Sequence, residues 1–221
     1  MTSNKQKENQ HSLDGPTKSP RDFSPYSLRN HFLISMPNLE DSYFSQTVTY
    51  ICDHTENGAL GIVLNNPLDV KVSEIFKQLN ISDNKNIAIE NESLTKSVQN
   101  IGEQAVLAGG PVNVDRGFIL HSAGQEWEST LKISSTISLT ASKDILVALA
   151  ENRGPEKALV ALGYAGWDPG QLEEEITANS WLTVPADDRI IFDVPFERRW
   201  ASASNYLGID INSIHTMAGH A

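Results

Sequence analysis

The sequence predicts a single α+β domain in which strand pairs alternate with isolated helices. Three observations support that class. Stretches with period-two alternation recur, as in Ser45–Cys52 and Ile133–Leu139, and stretches with helical spacing fall between them. One run, Ala158 to Tyr164, is apolar on both faces, as a central strand is. The 221 residues, 39% hydrophobic, suffice for one sizeable core. A single cysteine, Cys52, cannot close an intrachain disulfide, and its strand spacing marks it as a small core hydrophobe.

The elements follow in order. Residues 1–31 are polar, carry Pro16, Pro20 and Pro25, and show no apolar period, so they read as a mobile tail. The domain is expected to span 32–214, with 215–221 a second flexible tail. Ser45–Cys52 is a strand with Val48, Tyr50 and Cys52 on one face. After a turn over Asp53–Gly58, Ala59–Leu64 forms the other arm of a hairpin, ended by Pro67. Val72, Ile75, Phe76 and Leu79 then share one face of a short helix. Residues 81–104 are polar and weakly patterned, as in a long excursion.

Ala105–Ala108 and Phe118–His121 read as strands around the turn Gly109-Gly110-Pro111, and Ile133–Leu139 as another. Ser142 is a suitable N-cap for a helix that runs to Ala150 and stops at Gly154-Pro155. The central strand Ala158–Tyr164 leads to a further helix. There Asp168 serves as N-cap, Pro169 as N1 and Gln171 as the return arm of a capping box. Glu173–Glu175 lie near its positive end. Trp181–Val184 and Arg189–Asp193 form a second hairpin, and Phe196, Trp200, Ala203 and Leu207 line a final helix closed by Gly208.

Charge narrows the partners. The chain holds 17 Lys and Arg against 28 Asp and Glu, a net of −11. Residues 1–31 carry five basic and three acidic groups, so the remainder is more acidic still. Such a body repels phosphate backbones, which disfavours direct nucleic-acid binding. The most apolar run is about half the ~20 residues a membrane-spanning helix needs. With no signal-peptide pattern at the start, a cytoplasmic protein without membrane attachment is expected.

Motifs for chemistry are sparse. There is no GxxxxGK[ST] and no GxGxxG between a strand and a helix. Gly163, Gly166 and Gly170 have the wrong spacing for a phosphate loop, and Glu173–Glu175 would repel an anion. No two of the six histidines share a helix at i, i+4, and the turn Asp53-His54-Thr55-Glu56 reads as solvated. The expectation is therefore no metal and no cofactor. His54 and His121 each end a strand and could meet in space, either as a catalytic pair or as two structural imidazoles. His121 and Ser122 are strand neighbours on opposite faces, so they do not pair.

A series of spaced segments then carries a resemblance. These are Phe32–Pro37, Ile51–His54 with Gly58–Asn65, Gly109–Val112, Gly117–Ser122, Leu162–Trp167 with Gly170–Glu173, Asn179–Leu182 and Leu207–Asp210. In this order they resemble the AlgH/YqgE family of bacterial proteins. The resemblance implies a branched antiparallel or mixed β-sheet that forms a pseudo-barrel with flanking helices. It implies no established catalysis, although one namesake is linked to regulation of alginate synthesis and the family carries a transcriptional-regulator label. Asp53 stands where the family usually has Glu, and Asn66 where a basic residue is common.

The expected function is thus a non-enzymatic regulatory or adaptor protein that acts on a protein partner or small molecule. The alternatives are a hydrolase or transferase using His54 and His121, and direct DNA-binding regulation. Candidate binding residues lie where the motifs meet strand ends and turns. They are His54, Asn65, Gly109, Gly110, Pro111, His121, Tyr164, Trp167 and Gln171. Tyr164, Trp167 and His121 would supply aromatic walls; His54, Asn65 and Gln171 would supply polar contacts.

Overall fold

The computed structural model describes residues 27–39, 41, 43–81 and 101–208. Ten strands and five helices are formed there. The strands are β1 (His31–Ser35), β2 (Val48–Thr55), β3 (Gly58–Val63), β4 (Pro67–Lys71), β5 (Ala105–Ala108), β6 (Val112–Ser122), β7 (Thr130–Lys132), β8 (Ile137–Thr140), β9 (Ala158–Trp167) and β10 (Trp181–Pro185). The helices are α1 (Val72–Gln78), α2 (Lys143–Ala150), α3 (Gln171–Thr177), α4 (Asp188–Phe192) and α5 (Phe196–Asn205).

The sheet runs β10-β1-β2-β3-β9-β6-β8-β7, with β4 and β5 joined to it through β9. It is a curled antiparallel half-barrel with helices outside, in one α+β domain. One pairing is parallel, Leu107 and Ala108 of β5 against Ala161 and Leu162 of β9. The branch lies on β9. Its first half pairs with β5 on one side and β6 on the other, and Ala165–Trp167 pair with β3.

This position explains why β9 is apolar on both faces. Leu159 and Ala161 join the main core with Tyr50, Ile62, Phe118 and Trp200. Ala158 and Val160 join a second core with α1 and α2, through Phe76, Ile145 and Leu149. Ala165 and Trp167 pack with Leu33, Leu172 and Trp181 under α3. Each large side chain buried this way contributes about 1.5–3 kcal/mol. Cys52 is fully buried in the main core at a bulge in β2, and burial pushes its thiol pKa up.

Several elements differ from the sequence expectation. Pro67 opens β4, a position where its missing N–H costs nothing. The stretch 133–139 is not one strand. Ser134 Oγ accepts from the N–H groups of Thr136 and Ile137, and this turn splits β7 from β8. Residues 189–193 do not form a hairpin arm. Asp187 caps the N–H of Arg189, and Ile190, Ile191 and Phe192 enter the core as the helix α4, while β10 pairs with β1. A short apolar run fits either state, and the cap decides.

The helix α3 begins at Gln171 with Gly170 at its N-cap, and the Gln171 side chain still reaches back to the Asp168 N–H at 2.9 Å. The expected excursion falls mostly outside the described residues, apart from a 3-10 turn at Ile101–Glu103. Within the expected tail, Ser27, the first described residue, already bonds across the chain. Its hydroxyl donates to the carbonyl of His54, several residues before the expected boundary.

Candidate functional site

Beside the branch of β9 lies a cleft of about 470 Å³. Its floor is made of small residues, Gly58 and Ala59 from the β2–β3 hairpin and Gly166 from β9. Gly58 is required there. Its φ is +111°, and a Cβ would sit 2.2 Å from the carbonyl oxygen of Trp167. Gly166 is exposed within a strand, and a Cβ on it would meet the Tyr164 ring at 3.2 Å. The floor therefore lies open beside the flat face of Tyr164.

Tyr164, Trp167, Leu60 and Val112 form the apolar walls, and Asp53, Thr55, Asn57 and Asp168 supply polar groups. Tyr164 is held by an edge contact with Phe118, ring centroids 5.6 Å apart. Asp53 accepts from Arg29 Nη1 at 3.3 Å, so its charge is partly answered. The exposed carboxylate of Asp168 has no partner among the described residues. The cleft is thus acidic, with a flat ring on one side. Its lining holds no His, Cys, Ser or Lys. This arrangement can bind a hydrogen-bond donor or cation.

The nine candidate residues separate into groups. Tyr164 and Trp167 line the cleft. Gln171 lies beyond it on α3, where its amide donates to Glu175 at 2.8 Å. Gly109 and Gly110 are pressed onto β9. A Cβ at Gly110 would lie 1.8 Å from the carbonyl carbon of Tyr164, and one at Gly109 2.5 Å from the oxygen of Gly163. The Gly109 N–H donates to Leu162 and its carbonyl accepts from Val63. These glycines make the branch possible, and exposed Pro111 leads from them into β6. Asn65 clamps the start of β2, accepting from the Val48 N–H and donating to the Gln46 carbonyl.

His54 and His121 do not share a site. His54 pairs with Ala59, which pairs with Trp167 at one end of β9, whereas His121 pairs with Ala158 at the other end. The span between them is roughly 30 Å of extended strand. Each imidazole is also fully engaged. The Leu28 N–H donates to His54 Nδ1 at 2.9 Å, so the proton resides on Nε2 and is donated to Glu173 Oε1 at 2.8 Å. His121 has the opposite tautomer. Its Nδ1–H donates to the Ser122 carbonyl, and Nε2 accepts from the Thr140 hydroxyl, each at 2.9 Å. Burial lowers the His121 pKa and keeps the ring neutral.

One residue that sequence reasoning passed over organises this end of the sheet. Glu175 Oε2 accepts from the indole N–H of Trp167 at 2.9 Å and of Trp181 at 2.7 Å. It ties α3 to β9 and β10 and fixes the wall of the cleft. In sequence it is one of three consecutive acids, and only the i, i+4 spacing from Gln171 hints at its partner. Among the described residues, no group of three or more His, Cys, Asp or Glu could hold a metal, and no helix is long and apolar enough to cross a membrane.

A branched half-barrel with three cores and an acidic cleft at the branch defines a distinct class of α+β domain. The chain belongs to the AlgH-like family, DUF179, whose pattern matches residues 32–212. A UPF0301 protein of Saccharophagus degradans is 55% identical over 195 residues, covering 88% of this chain and 89% of that protein. One from Colwellia psychrerythraea is 46% identical over 208 residues, covering 88% and 99%. The solution structure of the AlgH protein from Pseudomonas aeruginosa superposes with a TM-score of 0.68 at 42% identity, covering 91% of this chain and all of that one. A crystal structure of a Corynebacterium diphtheriae protein shares the fold, with a TM-score of 0.60 at 20% identity over 80% of this chain and 85% of that one.

Proposed function

We propose that this chain is a regulatory or adaptor protein that works by binding, and that the cleft at the β9 branch is where it binds. The observation that carries this reading is the lining, an open floor of Gly58, Ala59 and Gly166 beside the Tyr164 ring, with Asp168 at the rim without a partner among the described residues. Such a surface suits a flat group bearing N–H donors or a positive charge, whether on a small molecule or on an exposed side chain of a partner protein. A hydrolase built on His54 and His121 has no support from their positions. Direct DNA contact finds none in a body this acidic.

The test uses benzamidine, a planar cation, as probe. Titration at millimolar concentration should shift the backbone amide resonances of Gly58, Gly166 and Asp168, and Gly166→Leu, which fills the floor against the Tyr164 ring, should abolish the response. A photo-crosslinker at Asn57 tests the protein arm, where one recurrent adduct lost in the Gly166→Leu variant is expected. If benzamidine leaves those amides unmoved and the crosslinker gives no adduct that depends on Gly166, the cleft is not a binding site.

A further inference from the structure

A second cavity, of about 340 Å³, lies where α4 gives way to α5 beside the opposite end of β9. Arg199 lines it and is only 2% exposed, yet no carboxylate among the described residues lies within ion-pair distance of it. Its Nε donates to the Val194 carbonyl at 2.9 Å, its Nη1 to the Leu64 carbonyl at 2.6 Å, and its face lies over the Phe196 ring at 4.5 Å. Nη2 has no acceptor among the described residues and is not sealed from solvent. Burial lowers the guanidinium pKa to about 10, which leaves it charged at neutral pH.

The start of α5 adds to this positive charge. Its N-cap is Pro195, which offers no side chain to the first turn. The Arg198 N–H turns back to the Pro195 carbonyl, and the N–H groups of Phe196 and Glu197 have no acceptor among the described residues. A cation one turn inside a helix start opposes the helix dipole. A buried cation without a counter-charge is costly as well. Both positive features meet at one cavity, and an anion would answer both.

We propose that this cavity is a ligand site for a small monocarboxylate with an apolar body, the carboxylate bridging Arg199 Nη2 and the uncapped N–H groups of Phe196 and Glu197. Leu159, Phe192, Val194 and Phe196 line the space for the apolar part. The other charges set the valence. Asp193 is held by Lys157 at 2.7 Å, and Glu197 is exposed at the rim, where it disfavours a dianion such as phosphate. This site is independent of the acidic cleft and prefers the opposite charge.

Titration of the intact chain with benzoate, followed by ¹H–¹⁵N NMR, tests the assignment. Saturable shifts are expected at the Phe196 and Glu197 amides and at Arg199 Nε–H. Benzamide, the neutral isostere, and inorganic phosphate should leave them unmoved. Arg199→Met should abolish the response. Should that variant fail to fold, Glu197→Gln serves instead, with binding about threefold tighter once the rim charge is removed. The proposal is overturned if benzamide binds as well as benzoate, if phosphate saturates the same amides, if Glu197→Gln weakens binding, or if no amide at this helix start responds.

Discussion

The two ends of β9 solve the same problem differently. At the Trp167 end, a buried imidazole and two indoles deliver their N–H groups to carboxylates of one short helix, His54 to Glu173 and both tryptophans to Glu175. At the Ala158 end, His121 is satisfied by a backbone carbonyl and a threonine hydroxyl, and Thr140 passes the network on to Thr130. One end relies on charge at a helix that lies over the sheet; the other is wholly neutral and internal. Hydrogen bonds to charged acceptors are the stronger ones, so the helix-bound end is more sensitive to loss of a single side chain. The neutral end is sensitive to protons.

The largest effect expected from breaking this contrast is at Glu175. Glu175→Ala leaves two indole N–H groups and the Gln171 amide without their acceptor, and unfolding in urea should show a loss of about 3 kcal/mol. His54→Ala removes a bond to the Leu28 N–H and one to Glu173, with an expected loss of about 2 kcal/mol by the same measurement.

At the neutral end the variable is pH. Burial depresses the folded-state pKa of His121 below its ordinary 6.5. The unfolded chain therefore binds a proton first as pH falls. The contribution is complete above 6.5 and declines as the pH drops from there toward the folded value, at up to ~1.4 kcal/mol per pH unit. Comparison of unfolding curves for the parent and His121→Gln across that range should show a shallower pH slope in the variant.

The smallest effect concerns a polar group with no partner of either kind. Thr49 Oγ1 is buried and makes no hydrogen bond among the described residues. Thr49→Val keeps the shape and removes the orphaned hydroxyl, so a gain of about 1 kcal/mol in unfolding free energy is expected. A loss there would show that the hydroxyl has a role the static contacts miss.

How far this was legible in the sequence follows from the range of the interactions. Local patterns were read correctly where one partner face suffices. Val48, Tyr50 and Cys52 share the main core as their alternation implies, α1 and α2 lie on their apolar stripes, and Gly208 has the left-handed φ of a helix stop. The runs at 133–139 and 189–193 misled because Ser134 and Asp187 bond locally to the backbone, and apolar periodicity does not register such bonds. Of the three aromatic walls expected from sequence, Tyr164 and Trp167 lie at the cleft and His121 does not, whereas nothing in the sequence marks Gly58, Ala59 and Gly166 as a floor. A floor is defined by what side chains leave open, and a hairpin and a strand far apart in sequence must meet before it exists. The engagement of His54 by Leu28 and Glu173 likewise joins parts of the chain that no local window contains.

The pairing of β1 with β10 bears on how the chain is made. His31 lies opposite Pro185, and Phe32 to Ser35 are matched by Val184 back to Trp181. β1, synthesised early, must therefore wait for β10 before its outer edge is covered. Meanwhile an apolar segment, Phe32-Leu33-Ile34, presents unpaired backbone to other nascent chains. A chain interrupted anywhere before residue 181 would keep that edge exposed permanently. Premature termination late in synthesis should thus yield aggregates rather than a shortened, functional domain.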